Sequence, residues 1–450
     1  MVRVTDMTHG RPIRLILLFS LPLMLGSVFQ QLYTIVDTII IGRGVGMQAL
    51  ASIGAADWIN WLVLWGLQGF TQGFAILAAQ EFGAGAYDRL RRVLAMIVKL
   101  SCWFGIAVTI ISLLLVRPLL TLLHTDPAVF GGAQTYLYVQ FGGSLIIIAY
   151  NMAAAVLRCL GDSRTPLFAI IAASFANIAL DLLFVMGFGW GIFGASFATV
   201  LAQLIAFLLC LRSLRRLPFV QLTKADWKTD PAILLHLCRL GIPTGLQMSM
   251  ITLGGMVLQS VLNGFGEVFV AGYTAANKLY GILESASVAF GYAMTAYMGQ
   301  NRGARNAARI DAGIRAVLVL SAEFTAAIVT AMLVAGKPLL GLFLSTEGAG
   351  VADALAVAHR YLMVLMAFLF ALFMLQAYRS SLQGLGEMTV PTLSGFAEML
   401  MRMGAALVLP TFIGQSGVFF AEGAAWVCAA ALNLVWYYMR IGKIKRDMLK

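Results

Sequence analysis

The chain has 450 residues, 60% of them hydrophobic and only 11% charged, with a mean hydropathy of +0.88. That is more apolar surface than a soluble core of this length can hide, so composition excludes a soluble globular protein and makes the lipid bilayer the first partner. A net charge of +11 suggests a nucleic-acid partner only until the 31 Lys and Arg are assigned to sides of the membrane.

Twelve apolar stretches of helical length follow in chain order: 14–41, 50–79, 93–116, 133–158, 165–188, 192–212, 237–262, 270–298, 313–335, 357–380, 390–411 and 417–440. Each is long enough to cross about 30 Å of hydrocarbon at about 1.5 Å per residue. A β-barrel would instead show strictly alternating segments of about ten residues, and none appears. The expected fold class is an all-α integral membrane protein with twelve transmembrane helices.

With the N-terminus inside, 25 of the basic residues, Arg379 among them, fall on the cytoplasmic side. Only Arg43, Arg117, Lys278, Lys337, Arg360 and Arg402 fall elsewhere. The positive-inside rule then puts both termini in the cytoplasm and gives the basic balance a topological meaning, with no nucleic acid involved. The first apolar run lacks a short hydrophobic core followed by a processing site, so it is expected to be retained as a span. The five cysteines show neither the spacing of a metal site nor that of a disulfide framework.

The second half repeats the first at a spacing of about 220 residues. Leu21-Pro22 returns as Ile242-Pro243, Ala55-Ala56 as Ala275-Ala276, Gln80 and Gly83 as Gln300 and Gly303, and Pro118-Leu119-Leu120 as Pro338-Leu339-Leu340. After a slip of a few residues, Leu160-Gly161 and Pro166 match Leu385-Gly386 and Pro391. The longest polar connector lies between the repeats, so the expected organisation is an N-terminal lobe over 1–212, a cytoplasmic loop over 213–236 and a C-terminal lobe over 237–450. Short turns elsewhere force antiparallel neighbours, hence two homologous six-helix bundles. Two such lobes with a substrate site at their interface are a common plan of secondary transporters.

Polar residues inside spans are costly and mark ion or substrate pathways. Asp37 in the first span, Asn177 and Asp181 one turn apart in the fifth and Thr199 in the sixth come to a similar depth in the outer half by residue count. Two carboxylates with a carboxamide and a hydroxyl have the parts of a proton or sodium site. The alternative is structural: Asp37 caps the helix end before Gly42, and Asn177 and Asp181 join helices across the bundle. In the second half Glu398 and Arg402 have the spacing of an intrahelical ion pair. Glu284, Glu323 and Glu422 have no partner nearby in sequence. Asp57, beside Trp58, reads as a solvated residue at the outer boundary.

At these positions the chain resembles the multidrug and toxic compound extrusion (MATE) family, and within it the prokaryotic DinF-like branch. The resemblance runs through Leu21-Pro22, Gln30-Gln31, Val36-Asp37, Gln80 and Gly83, the stretch Leu157 to Pro166, then Asn177, Asp181, Gly194-Ala195 and Ala198-Thr199. It implies a MATE/MOP-type fold, a monomer in the cell membrane of a prokaryote, no cofactor, and a cation-coupling network of Asp37, Asn177, Asp181 and Thr199 that takes up H⁺ or Na⁺. No metal is implied beyond Na⁺ at Asp37, Asn177 and Asp181. Another branch places its coupling acid in the seventh span; Ile251 stands there in this chain. The implied activity is exchange of H⁺ or Na⁺ for amphipathic, often cationic compounds by alternating access. Glu284, Met256, Gln30 and Tyr33 are the candidate substrate contacts.

A flippase for a lipid-linked precursor on the same superfold is the alternative, although such proteins carry several basic residues in the cleft. Hydrolase and nucleotide-binding motifs are missing from the sequence, which argues against an enzyme or an ATP-driven pump. Under the repeat Asn177 falls opposite Arg402 and Thr199 opposite Ala425, so the scaffold was copied and the polar set was not.

Overall fold

The computed structural model describes residues 4–344 and 350–449. Its helices are α1 (Pro12–Gly44), α2 (Met47–Gly83), α3 (Tyr87–Leu122), α4 (Pro127–Gly142), α5 (Ser144–Cys159), α6 (Arg164–Asp181) and α7 (Gly191–Arg215). The second half contributes α8 (Pro231–Asn263), α9 (Glu267–Gly303), α10 (Ala307–Gly341), α11 (Val351–Gly384), α12 (Thr389–Ile413) and α13 (Phe420–Leu449). All twelve apolar stretches are helical. Most helices run several residues past the apolar stretch at each end, because polar end residues continue the backbone ladder beyond the hydrocarbon.

Among the described residues, ten helices are long and apolar enough to cross a membrane, and α4 with α5, bent by 50°, makes an eleventh. The twelfth is α9, 37 residues long, whose hydropathy is diluted by Glu267, Lys278, Glu284 and Arg302. The fourth stretch, read as one helix, is therefore two. Its break falls at Gly142-Gly143, where a Cβ on Gly143 would come within 2.5 Å of Val200. Only a residue without a side chain lets α5 approach α7 there.

The repeat is carried by the backbone as well. The pairs α1 and α8, and α2 and α9, have equal lengths of 33 and 37 residues. The turn before the second member of each half rests on Gly46 (φ 111°) and Gly266 (φ 90°), a conformation that L side chains rarely adopt.

Two compact units divide the chain. One holds Leu21–Gly245 together with the described residues before Met7; the other holds Met7–Ser20 and Leu246–Lys450. Two of the three boundaries thus cut a helix close to the repeated prolines, Pro22 and Pro243. In the first unit the start of α8 packs on α2, where a Cβ on Gly73 would lie 2.6 Å from the Gly241 Cα. In the second, the start of α1 packs on α9, with the Ser20 hydroxyl 3.3 Å from the Ala289 carbonyl.

Met7 is held in the second unit by side chains of α9 and α10. Its N–H donates to Gln300 Oε1 at 2.8 Å, and Arg309 donates to the carbonyls of Met7 and Gly10 at 2.9 and 2.8 Å.

Between α7 and α8 lie two short 3₁₀ turns, Pro218–Val220 and Lys224–Trp227. The second is closed by a capping box in which Asp226 Oδ2 accepts from the Thr223 N–H at 2.7 Å and its hydroxyl at 2.8 Å. Burial alone would raise the Asp226 carboxyl. The Thr223 hydrogen bonds, Arg91 and Arg92 outweigh it and hold the group below the usual carboxylate range. Lys99 of α3 fixes the same segment, donating to the Trp227 carbonyl at 2.6 Å and to Thr229 at 2.9 Å.

Candidate cation-binding site

The first unit builds its polar site from three helices, α1, α6 and α7. The start of α6 is set by Asp162, which accepts from the N–H groups of Arg164 and Thr165 at 3.0 Å each and from the Thr165 hydroxyl at 2.5 Å. From there the helix carries Asn177 and Asp181 on one face, both buried. Asp181 is its last α-helical residue. The chain continues as a π-helical segment, Leu182–Gly187, a wider turn of the kind that recurs at functional sites. The π segment is pinned by the Phe184–Trp190 ring stack at 5.1 Å and by the Trp190 N–H donating to the Phe184 carbonyl at 2.9 Å.

The carboxyl of Asp181 adjoins that of Asp37 on α1. Neither oxygen of Asp181 has a hydrogen-bond partner, nor has Asp37 Oδ1, and both amide atoms of Asn177 are likewise buried and unpartnered. Such groups are rare in folded interiors, and each calls for a reason. Asp37 stands within α1, seven residues before its end at Gly44, and its Oδ1 has no hydrogen-bond partner. The Tyr33 hydroxyl adjoins Thr199 and lies within electrostatic reach of both acids. Thr199 itself donates back along α7 to the Ala195 carbonyl at 3.2 Å. The four residues singled out from the sequence therefore fall in one region, with the acids and Asn177 unsatisfied and Thr199 held on its own helix.

Two neighbours of this region differ from the sequence reading. Asp57 is half-buried, lies within electrostatic reach of Asp37 and of Tyr136 of α4, and stands ten residues inside α2 rather than at its outer end. The apolar run starts near residue 50, but α2 begins at Met47, so Asp57 lies about 15 Å into the helix. Asn60, one turn on, is buried and donates to the Tyr136 hydroxyl at 3.2 Å, while its Oδ1 has no partner. Of the other candidates, Gln30 is exposed, while Tyr33, Met256 and Glu284 are half-buried.

The second unit handles its buried charges differently. Arg379, counted from the sequence with the cytoplasmic loop residues, is buried in α11 and pairs with Glu398 at 2.5 Å. It stands only five residues before the end of α11, which is why position alone made it look like a loop residue. Arg402 pairs with Glu398 at 3.1 Å and with Glu422 at 2.8 Å, and donates to the Ile251 carbonyl at 3.0 Å. Glu284 lies beside the Tyr280 hydroxyl. Glu323 is exposed on α10. Among the described residues, no group of three or more His, Cys, Asp or Glu is placed to hold a metal ion.

Twelve membrane helices in two related bundles, with polar groups left unsatisfied inside the first, define a membrane transporter rather than an enzyme. The MatE family profile matches residues 22–183 and 243–408, and the chain belongs to this family of multidrug efflux transporters, multi-pass proteins of the cell membrane. It is 31% identical over 99% of its length to a probable multidrug resistance protein of Bacillus subtilis, YpnP, and covers 98% of that protein. Among solved structures it resembles a MOP superfamily transporter from Pyrococcus furiosus, described as having a binding pocket of reverse polarity. That match has a TM-score of 0.91 and 25% identity over 98% of this chain and 99% of the other. A crystal structure of MATE in complex with MaL6 also matches with a TM-score of 0.91, at 24% identity over 99% of this chain and 100% of the other, and shows the fold alone.

Proposed function

We propose that the chain exports amphipathic, often cationic small molecules in exchange for inward H⁺ or Na⁺, by alternating access of its two halves with both termini in the cytoplasm. The ion is taken up at Asp37 and Asp181. One observation carries this reading: Asp181 is buried beside Asp37 with no donor for either oxygen and no ion pair among the described residues. Two adjoining carboxylates away from water need a positive charge between them. One proton would supply the missing donor. A sodium ion would use the same oxygens, with Asn177 Oδ1 as a further ligand.

The names of curated relatives, which refer to multidrug resistance, support the substrate class. Glu284, Met256, Gln30 and Tyr33 remain the proposed substrate contacts, and the transporter acts as a monomer. A lipid-precursor flippase is not favoured, because the buried Arg379 and Arg402 are already neutralised by Glu398 and Glu422 and offer no free guanidinium to a pyrophosphate.

The reading is tested in everted membrane vesicles with a panel of dyes and organic cations. Substrate addition is expected to drive proton or sodium movement out of the lumen, and an imposed gradient of the coupling ion to drive saturable substrate uptake. Substrate movement indifferent to both gradients would overturn it.

A further inference from the structure

We propose that Val185, carried into place by the π turn after Asp181, seals the ion site on the side of the α1–α2 turn, so that the coupling ion cannot leak across the first unit. The inference rests on the exchange reading above and adds how that exchange is kept tight.

An apolar layer stands about one turn from the polar members of the site. Ile40 and Ile41 follow Asp37 on α1 by three and four residues, Val185 follows Asp181 by four, and Ala195 precedes Thr199 on α7 by four. These residues pack together with Ala49 of α2 in one buried cluster, where Val185 and Ala195 are each 3% exposed. Ile178, next to Asn177, packs against the same cluster. The Thr199 hydroxyl donates to the Ala195 carbonyl at 3.2 Å, which ties the polar set to the layer directly. The layer lies toward the ends where α1 turns into α2 and the π segment turns into α7.

The π turn brings Val185 into that layer. The Phe188 N–H donates to the Leu183 carbonyl, five residues back, at 2.9 Å. The chain therefore turns more widely than an α-helix and sets Val185 at a different angle around the axis. From the other side α1 closes on it with a residue that has no side chain. A Cβ on Gly44 would lie 2.9 Å from Val185 Cγ1 and 2.7 Å from Met186 Sδ, so the end of α1 lies directly against the π segment.

An ion leaving the acids in this direction must pass between aliphatic side chains, which is costly for any charge. The coupling ion therefore reaches and leaves Asp37 and Asp181 from the other side of the layer. A site reached from one side at a time can exchange its ion for substrate without passing it straight through.

The test uses the purified full-length protein in proteoliposomes without substrate, under a pH gradient read by a trapped dye or a sodium gradient read by a sodium indicator. The wild type, and Val185→Ile, which keeps the layer apolar, are expected to hold both gradients as protein-free liposomes do. Val185→Ser should dissipate one of the two gradients at least about tenfold faster, because a small polar side chain lowers the barrier to a charge. Val185→Ala, milder on the fold, should leak in the same direction. Adding Asp181→Asn to either leaking variant should abolish the leak, which a merely loosened bundle would not do. Folded variants, judged by melting temperature, that hold both gradients would overturn the seal, as would a leak that Asp181→Asn leaves untouched. With no substrate present, neither result bears on the exchange reading, which falls only if substrate movement in vesicles ignores both gradients.

Discussion

Replacing Arg402 by alanine is expected to destabilise the protein by about 3–5 kcal/mol, because the change removes the guanidinium that joins Glu398 and the largely buried Glu422. Glu398 would keep Arg379, but Glu422 would lose its ion-pair partner and the Ile251 carbonyl its guanidinium donor. Breaking a buried network by removing one member costs far more than replacing the whole set with apolar groups of similar size. The double variant Arg402→Met with Glu422→Leu should therefore recover most of the loss. Thermal unfolding of the purified variants in detergent, compared as a double-mutant cycle, reads both numbers. A single variant as stable as the wild type would show that the network contributes nothing.

The Asp181→Asn variant should move stability and function in opposite directions. The amide is close in shape to the carboxylate, removes one of the two adjoining negative charges, and offers Asp37 the N–H donor it lacks. Filling an unmet buried hydrogen bond and lifting like-charge repulsion should stabilise the protein by about 1–3 kcal/mol. The same change removes the acid that must take up and release the ion, so ion-driven exchange should fall to background. Melting temperature in detergent and substrate uptake in vesicles under an imposed pH or sodium gradient are the two readouts. Exchange that survives the substitution would remove Asp181 from the coupling site.

The contrast between the two bundles explains why these variants differ. Under the repeat, Asn177 of the first half stands opposite Arg402 of the second. Where the second bundle has a permanent guanidinium between its acids, the first has only an amide with both polar atoms unused. One bundle carries its own counter-charge; the other is proposed to take one from solution.

Most of the scaffold was legible in the sequence, because span length and the 220-residue repeat follow from the bilayer and from duplication. The group Asp37, Asn177, Asp181 and Thr199 was legible too, since polar residues stand out in apolar runs and Asn177 and Asp181 share a helix face. Facing across helices was not legible. Nothing local to Glu398 announces Arg379, nineteen residues earlier on another helix. Asp57 was read at the boundary from its neighbour Trp58, although it stands seven residues inside the apolar run. Gly142-Gly143 was a visible signal for the break in the fourth span, yet an apolar run carries no sign of whether a neighbour crowds it, and Val200 decides that. The π turn after Asp181 left no trace in composition.

The exchange of helix starts between the two units has a consequence for how the molecule is assembled. A polypeptide ending at residue 212 would contain Gly73 and Phe74 without Gly241, the residue they close upon. Its complement would contain Ala289, Gln300 and Arg309 without the Met7–Ser20 segment they bind. The halves are reciprocal lenders, each completed by a piece encoded in the other. The duplicated gene thus encodes two copies of a sequence but not two self-sufficient folding modules.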